Sequence, residues 1–448
     1  MKQVRFGLLL WLFAIALSSI LAAQTRPANS PVSPAPAPPS GETVTQPSQD
    51  IILEYSPPPA EYARAKARSI ANYRHFFVNT FYGFLVLLVL LRWRVAPSFR
   101  NLAERVSSRR SFQIIIFVPL ILLTIAVLGI PSDIWDHSLD LAFGRSVQSW
   151  PAWLTDWITN EIVVLIIGTV LVAILYAVIR RSPRRWWFYF WTASIPLLLV
   201  VFFLKPLVID PLFFTFKPLA AAQPLLVSEI QKVTHRAGIE IPSDRLFIMN
   251  ASSKQTGMNA YIAGFGASKR VVISDNTIAK ATMPATVFVF GHETGHYVLW
   301  HIPKETTIIS TIILVLLFAG YHLALWMLAR WGAQWGIRDL GDLASFPALF
   351  FLASLLAFFA MPVVNAVSRH FEHEADRYGL EVVHGIVANP NQVAAHYFEK
   401  SGEMNLSEPD PNWFTKAWFW DHPPYSERVH FAATYDPWSK GEEPKYVK

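Results

Sequence analysis

GHETGH, residues 291–296, stands between the apolar run PATVFVF (284–290) and the aromatic stretch YVLWH (297–301). On a helix, His292 and His296 are four apart, project from one face a turn from each other, and can hold a single ion. Glu293 then lies beside that ion without binding it. A general base must sit there to take a proton from an attacking water and return it to a leaving amine. The apolar flanks read as a helix leading into a membrane span, so this stretch joins a metal motif to a bilayer.

The rest of the chain agrees with a bilayer. Of 448 residues, 53% are hydrophobic and only 16% charged, too apolar a balance for a soluble protein of this size. Windows of about 20 mostly apolar residues, enough to cross a hydrocarbon core, fall into two groups. Phe76 to Leu91, Phe112 to Ile130, Ile162 to Ile179 and Trp186 to Ile209 precede GHETGH; Ile308 to Ala329 and Phe346 to Val364 follow it. With the N-terminal run Phe6 to Ala23 they make seven candidate spans. Lys2 and Arg5 ahead of LLLWLFAIAL, and small residues up to Ala23, also read as a secretory signal, and both readings of the start stand.

The chain has no cysteine, which excludes thiolate metal sites, disulfides and cysteine nucleophiles. Its net charge of +6 lies largely in short loops between spans, so membrane topology explains it better than nucleic acid, which is not expected as a partner. Arg92, Arg94, Arg100, Arg105, Arg109 and Arg110 crowd one loop and Arg180, Arg181, Arg184 and Arg185 another. Ser132 to Asn160 carries only Arg145. Basic loops face the cytoplasm, which puts GHETGH and the last residues on the far side. Arg64, Lys66, Arg68 and Arg74 oppose this count.

Pro27 to Pro59, centred on PVSPAPAPPS, reads as an extended linker unable to bury a core. Beyond Ile209 lies a polar α+β insert. Leu226 to Ala237 has helical periodicity, and RLFIMNA and KRVVISD are short strands either side of the turn-rich SSKQTGMNAYIAGFGAS. Asn365 to Val383 again has helical character.

A catalytic zinc needs a third protein ligand and an open position. SRHFEHEAD (368–376) is the obvious supplier, and Glu372, His373 and Glu374 are all eligible by chemistry. Glu372 and Asp376, four apart on one face, allow a ligand and an outer carboxylate to reach the same site. His301, five after His296, falls off the ligand face, and His322 is an isolated polar group in the sixth span.

HETGH, two spans and then SRHFEHEAD resemble the integral-membrane zinc peptidases of the CAAX prenyl protease 1 family, whose pattern is HExxH followed by SRxxExxAD. The resemblance runs from about Ile209 to Arg428. It implies a gluzincin-type site holding one Zn2+ per chain, with His292, His296 and Glu372 as ligands, Glu293 as catalytic base and Asp376 orienting a ligand histidine. MNAYIAGFG (258–266) resembles the family's edge strand for an extended substrate, which makes Asn259 and Ala260 candidate substrate contacts. DHPPYSER (421–428) resembles a motif whose histidine faces the zinc. His422 becomes a candidate donor to the oxyanion, and Arg428 an electrostatic or structural support.

The expected protein is mainly α: a multi-pass membrane protein of about seven spans with a gluzincin-like α+β zinc peptidase domain inserted between and after the last spans. Its parts are a signal or first span (1–23), a Pro-rich linker (24–74), four spans (75–209), a peptidase region (210–305), two further spans (306–364) and a second peptidase region (365–448). The expected activity is endopeptidase cleavage of peptides or of membrane and envelope proteins, in a bacterial-type inner membrane with the site extracytoplasmic; the partners are that substrate and the bilayer. The competing reading is a non-catalytic scaffold or transporter with structural zinc. A closed structural site would not require a glutamate beside its first ligand. Four-span heat-shock peptidases and site-2 proteases, which bury HExxH and use a later aspartate, fit less well.

Overall fold

The computed structural model describes residues 51–263 and 270–447; the apolar run 6–23 and most of the proline-rich segment lie outside them. Helix α1 (Pro59–Arg92) is followed by a short amphipathic α2 (Val95–Val106), then α3 (Arg110–Ala142), α4 (Trp150–Arg181) and α5 (Trp186–Leu204). Strand β1 (Phe216–Pro218), α6 (Pro224–Arg236), β2 (Leu246–Met249), β3 (Ala260–Ala263), β4 (Arg270–Ser274) and α7 (Asp275–Lys280) come next. The metal-motif helix α8 (Met283–Val298) leads to α9 (His301–Trp335) and α10 (Phe346–Val383). Helices α11 (Pro390–Met404), α12 (Trp413–Phe419) and α13 (Tyr425–Thr434) complete the order.

Among the described residues, six helices are long and apolar enough to cross a membrane, and each contains one of the six windows from Phe76 to Val364. Two apolar cores coexist. One is built from the long helices, with Phe117, Ile121 and Tyr176 wholly buried; the other joins the sheet, α6, α8, α11 and α13 around Ile230, Phe288 and Phe398.

Two expectations gain detail and a third changes. Asn365 to Val383 is helical as expected, and it continues the last span without a break through Pro362, giving 38 residues. At 1.5 Å per residue this is about 57 Å, longer than the bilayer core, so the last turns carry their polar residues into the peptidase core. Within the turn-rich stretch before β4, the strand expected in MNAYIAGFG spans Ala260–Ala263 as β3 among the described residues. And the described end of the linker is packed. The Ile52 amide donates to Gln392 Oε1 at 2.9 Å, and Tyr55 is buried beside Tyr425, because IILEY brings apolar side chains that the preceding proline-rich run lacks.

The sheet order is β1-β2-β4-β3, with β2 and β4 parallel and the outer pairs antiparallel. Asp210, just past α5, accepts from Lys205 Nζ at 2.7 Å and Arg270 Nη2 at 3.1 Å, tying β4 to the end of the fourth long helix.

The basic loops gather at one end. Arg94 donates to the Gln334 carbonyl at 2.9 Å in the last turn of α9, while Arg180 donates to that of Gly341 at 3.2 Å and Arg100 pairs with Asp342, both in the turn between α9 and α10. GHETGH lies at the other end of α9, about 50 Å away by helix length. Of the opposing basic group, Arg68 is buried and donates to the carbonyls of Asn405 and Leu406 at the end of α11. Its charge serves a helix C-terminus rather than membrane topology.

Candidate active site

Helix α8 starts where Thr282 accepts the Ala285 amide and Pro284 occupies the first turn, where no amide is missed. It crosses α10 at close range through glycines. A Cβ on Gly291 would meet Val382 Cγ1 at 2.9 Å, one on Gly295 would meet Tyr378 Cβ at 3.0 Å, and one on Gly379 would meet the His292 backbone nitrogen at 3.0 Å. The backbones of the two ligand-bearing helices therefore nearly touch. The GxxxG spacing of Gly291 and Gly295 was the available signal for this crossing. Gly379→Ala is expected to cost about 1–3 kcal/mol, since backbone cannot yield as a side chain can, and to weaken metal binding in the same variant. Unchanged thermal stability and metal content would contradict so close a crossing.

The crossing brings His292, His296 and Glu372 together, with one ligand atom from each within 4.8 Å of the others. Their Nε2 atoms are 3.2 Å apart, and Glu372 reaches His292 Nε2 at 3.3 Å and His296 Nε2 at 3.4 Å. Glu372 Oε2 is buried with no aligned hydrogen bond among the described residues, its near neighbours being imidazole nitrogens. Two imidazoles and a buried carboxylate that converge in this way fit a divalent metal ion. Burial lowers the His296 pKa to about 3 against the pull of Glu372, so it stands neutral, as a ligand must. For His292, burial is outweighed by the hydrogen bonds its ring donates to Asp376 and Glu372 and by their charges, which push it up to about 10. A proton on its Nε2 and a metal ion compete for the same lone pair.

Behind His292, Asp376 Oδ1 lies 2.9 Å from Nδ1, and Arg428 grips Asp376 with Nε–Oδ2 at 2.8 Å and Nη2–Oδ1 at 2.5 Å. Asp376 is 1% exposed. Burial opposes the guanidinium charge, but Asp376 wins and raises the Arg428 pKa further. His422 Nε2 sits 3.1 Å from Glu372 Oε2 and its Nδ1 3.0 Å from Asp421. Burial works against its charge, yet Glu372 and Asp421 raise its pKa overall. Glu293 is half-buried, and burial pushes its carboxyl up to about 7 against the opposing field of His292. The two other eligible residues of SRHFEHEAD face elsewhere: His373 packs edge-on to Phe431, and Glu374 pairs with Lys445 and Tyr446.

β3 is an edge strand and packs on α8. The Asn259 amide donates to Ser274 Oγ at 3.0 Å and Thr277 Oγ1 at 2.7 Å, and its carbonyl accepts the Ser274 amide at 2.8 Å. Asn259 thus turns its main chain toward β4. Antiparallel alternation then turns the backbone groups of Ala260 and Ile262 to the open edge. Residues 264–266 of the expected substrate strand lie outside the described residues.

His301, off the ligand face by spacing and not among the three converging residues, still comes to lie against His296. α8 stops at Val298, Trp300 takes a left-handed conformation (φ 58°), and α9 starts afresh at His301. The break swings the His301 ring back until its Nδ1 is 3.3 Å from His296 Nδ1. Pro303 was the signal: proline is favoured in the first turn of a helix, which fits a fresh start at His301.

Residues 220–435 match the family model "Peptidase family M48", and residues 46–215 match "CAAX prenyl protease N-terminal, five membrane helices". A Bacillus subtilis (strain 168) protein named "Uncharacterized metalloprotease YhfN" is 31% identical over 378 residues, covering 84% of this chain and 86% of that one. A "CAAX prenyl protease 1 homolog" of Oryza sativa subsp. japonica is 26% identical and covers 82% of this chain and 86% of its own. The crystal structure of S. mikatae Ste24p has the same fold, with a TM-score of 0.69 over 96% of both chains at 18% identity.

Proposed function

The chain belongs to peptidase family M48 and is a multi-pass membrane metalloendopeptidase, and on that premise we propose that one Zn2+ is held by His292, His296 and Glu372, with Glu293 as catalytic base. The observation that carries the ligand set is the convergence of the His292 and His296 Nε2 atoms on the buried Glu372 carboxylate, one ligand atom from each within 4.8 Å of the others. When bound, the metal supplies Lewis-acid polarisation and lowers the pKa of water to about 7.

Glu293 accepts the proton of the attacking water and returns it to the departing nitrogen. Asp376, held by Arg428, keeps the His292 Nδ1–H pointed away from the centre so that Nε2 presents its lone pair. His422 stands on the rim of the ligand triad. There its Nε2–H donates to the carbonyl oxygen as negative charge develops, a contact worth about 3 kcal/mol. The extended peptide lies along β3, pairing with the outward backbone groups of Ala260 and Ile262 beside Asn259. Main-chain pairing of this kind asks little of the substrate's side chains. Loss of zinc from His292→Ala and Glu372→Ala, measured by metal analysis of purified protein, tests the ligand set; full zinc content in either variant would reassign it.

The site faces away from the cytoplasm in this reading, because both arginine-rich loops lie at the opposite end of α9 and α10. The substrates are then peptides or misfolded membrane and envelope proteins, not the CAAX prenyl substrates after which the relatives are named. A cysteine-free chain makes the test clean. Ser439 and Ser108 are both exposed, one in the peptidase region and one in a basic loop. In intact cells an impermeant maleimide should label Ser439→Cys and leave Ser108→Cys untouched. The reverse pattern would place the site in the cytoplasm.

A further inference from the structure

His292 has a support behind it, Asp376 and Arg428. The structure also places a chain of polar groups behind His296. His301, wholly buried, lies with Nδ1 3.3 Å from His296 Nδ1 and Nε2 3.5 Å from Glu374 Oε2. Its ring packs on Phe371, with centroids 4.9 Å apart, which limits its rotation. Glu374 is held in turn by Lys445 Nζ at 3.1 Å and by the Tyr446 hydroxyl. The backbone carrying those two residues is fixed by one buried carboxylate. Glu381 accepts the amides of Lys445, Tyr446 and Val447 at 2.9, 2.6 and 2.9 Å, and the hydroxyl of Tyr435.

We propose that His301 and Glu374 are positioning residues for His296, and that the segment Lys445–Val447 braces them. The inference rests on the reading of His296 as a metal ligand. If His296 presents its Nε2 lone pair to a metal, its Nδ1 must carry the proton and needs an acceptor. Nδ1 of a neutral His301 is that acceptor. His301 then carries its own proton on Nε2, the atom facing the Glu374 carboxylate. Every proton in the chain then points outward, from the metal side toward Glu374, with the 3.5 Å from His301 Nε2 to Glu374 Oε2 an electrostatic contact longer than a formed hydrogen bond. The left-handed Trp300 is what makes this possible: an unbroken helix would turn residue 301 about 140° away from His296, five residues at 100° each.

Outer partners of this kind typically alter metal affinity by about 10- to 100-fold. The test uses the full chain purified in detergent, with zinc affinity measured by competition against a chelator of known affinity, alongside thermal unfolding of the metal-free protein. His301→Leu removes the acceptor and is expected to weaken zinc binding within that range. His301→Asn, whose Oδ1 stands where Nδ1 was, is expected to recover most of the loss. Recovery by asparagine separates an orienting contact from mere filling of space. Wild-type affinity in His301→Leu overturns the proposal, as does a loss in His301→Asn equal to that in His301→Leu. Should His301→Leu fail to fold, Glu374→Gln decides: about tenfold weaker binding supports the relay, and unchanged binding overturns it. His296→Ala is the control for the underlying reading. If it binds zinc like wild type, the ligand assignment fails, whatever His301 does.

Discussion

Glu293→Gln is expected to keep its zinc while losing about 10³-fold in kcat for peptide cleavage, the upper part of what a positioned general base contributes. Glutamine has the shape of glutamate and no capacity to take a proton at neutral pH. Glu293 is not among the three converging ligand residues, so metal content should not change. The wild-type pH profile carries the same argument. Burial pushes the Glu293 carboxyl up to about 7 from 4.5 against the field of His292, and a bound divalent cation would draw the value back down. The base works only when deprotonated, so kcat/KM should rise with pH along a limb whose midpoint lies between 4.5 and about 7. That limb should be missing from the residual activity of Glu293→Gln. Equal activity in the variant, or loss of metal with loss of activity, would remove Glu293 from the catalytic role.

Much of this site is legible in the sequence because its parts obey local periods. His292 and His296 share a helix face by spacing, as do Glu372 and Asp376. The six spans are contiguous apolar windows that need no tertiary information. What escapes is what depends on where helices stop. Nothing in YVLWH marks Trp300 as left-handed, and Pro303 points to the break without saying which way the next helix leaves. His301 therefore looks misplaced until the chain has turned.

The last span hides the reverse case. Pro362 and the onset of polar residues suggest a boundary, whereas the helix runs on to Val383, because a proline kinks or is absorbed as readily as it ends a helix in a packed bundle. Glu374 and Glu381 could not be assigned from sequence for another reason. Their partners, Lys445 to Val447, lie more than sixty residues away, and no motif connects them.

Arg428 should matter as much to stability as Glu293 does to rate. It lies on α13, 52 residues from Asp376, and holds that buried carboxylate at two points, while its guanidinium covers the Phe398 ring at 4.2 Å. Arg428→Met keeps an apolar stem over Phe398 and removes only the charge and the paired N–H groups. Asp376 is then left buried with His292 as its remaining partner, a situation that costs about 3–5 kcal/mol. Arg428→Lys should recover part of this, because an ammonium restores the charge but not the planar two-point grip. In the double variant Asp376→Asn with Arg428→Met no buried charge is stranded, so thermal stability should return toward wild type. Zinc affinity should stay weakened, because asparagine is a poorer acceptor for His292 Nδ1–H than a carboxylate. The two readouts thus separate what Arg428 does for the fold from what Asp376 does for the metal. A double variant that regained both would mean that His292 needs no carboxylate behind it, and an Arg428→Met protein as stable as wild type would mean that Asp376 is not held as a charge at all.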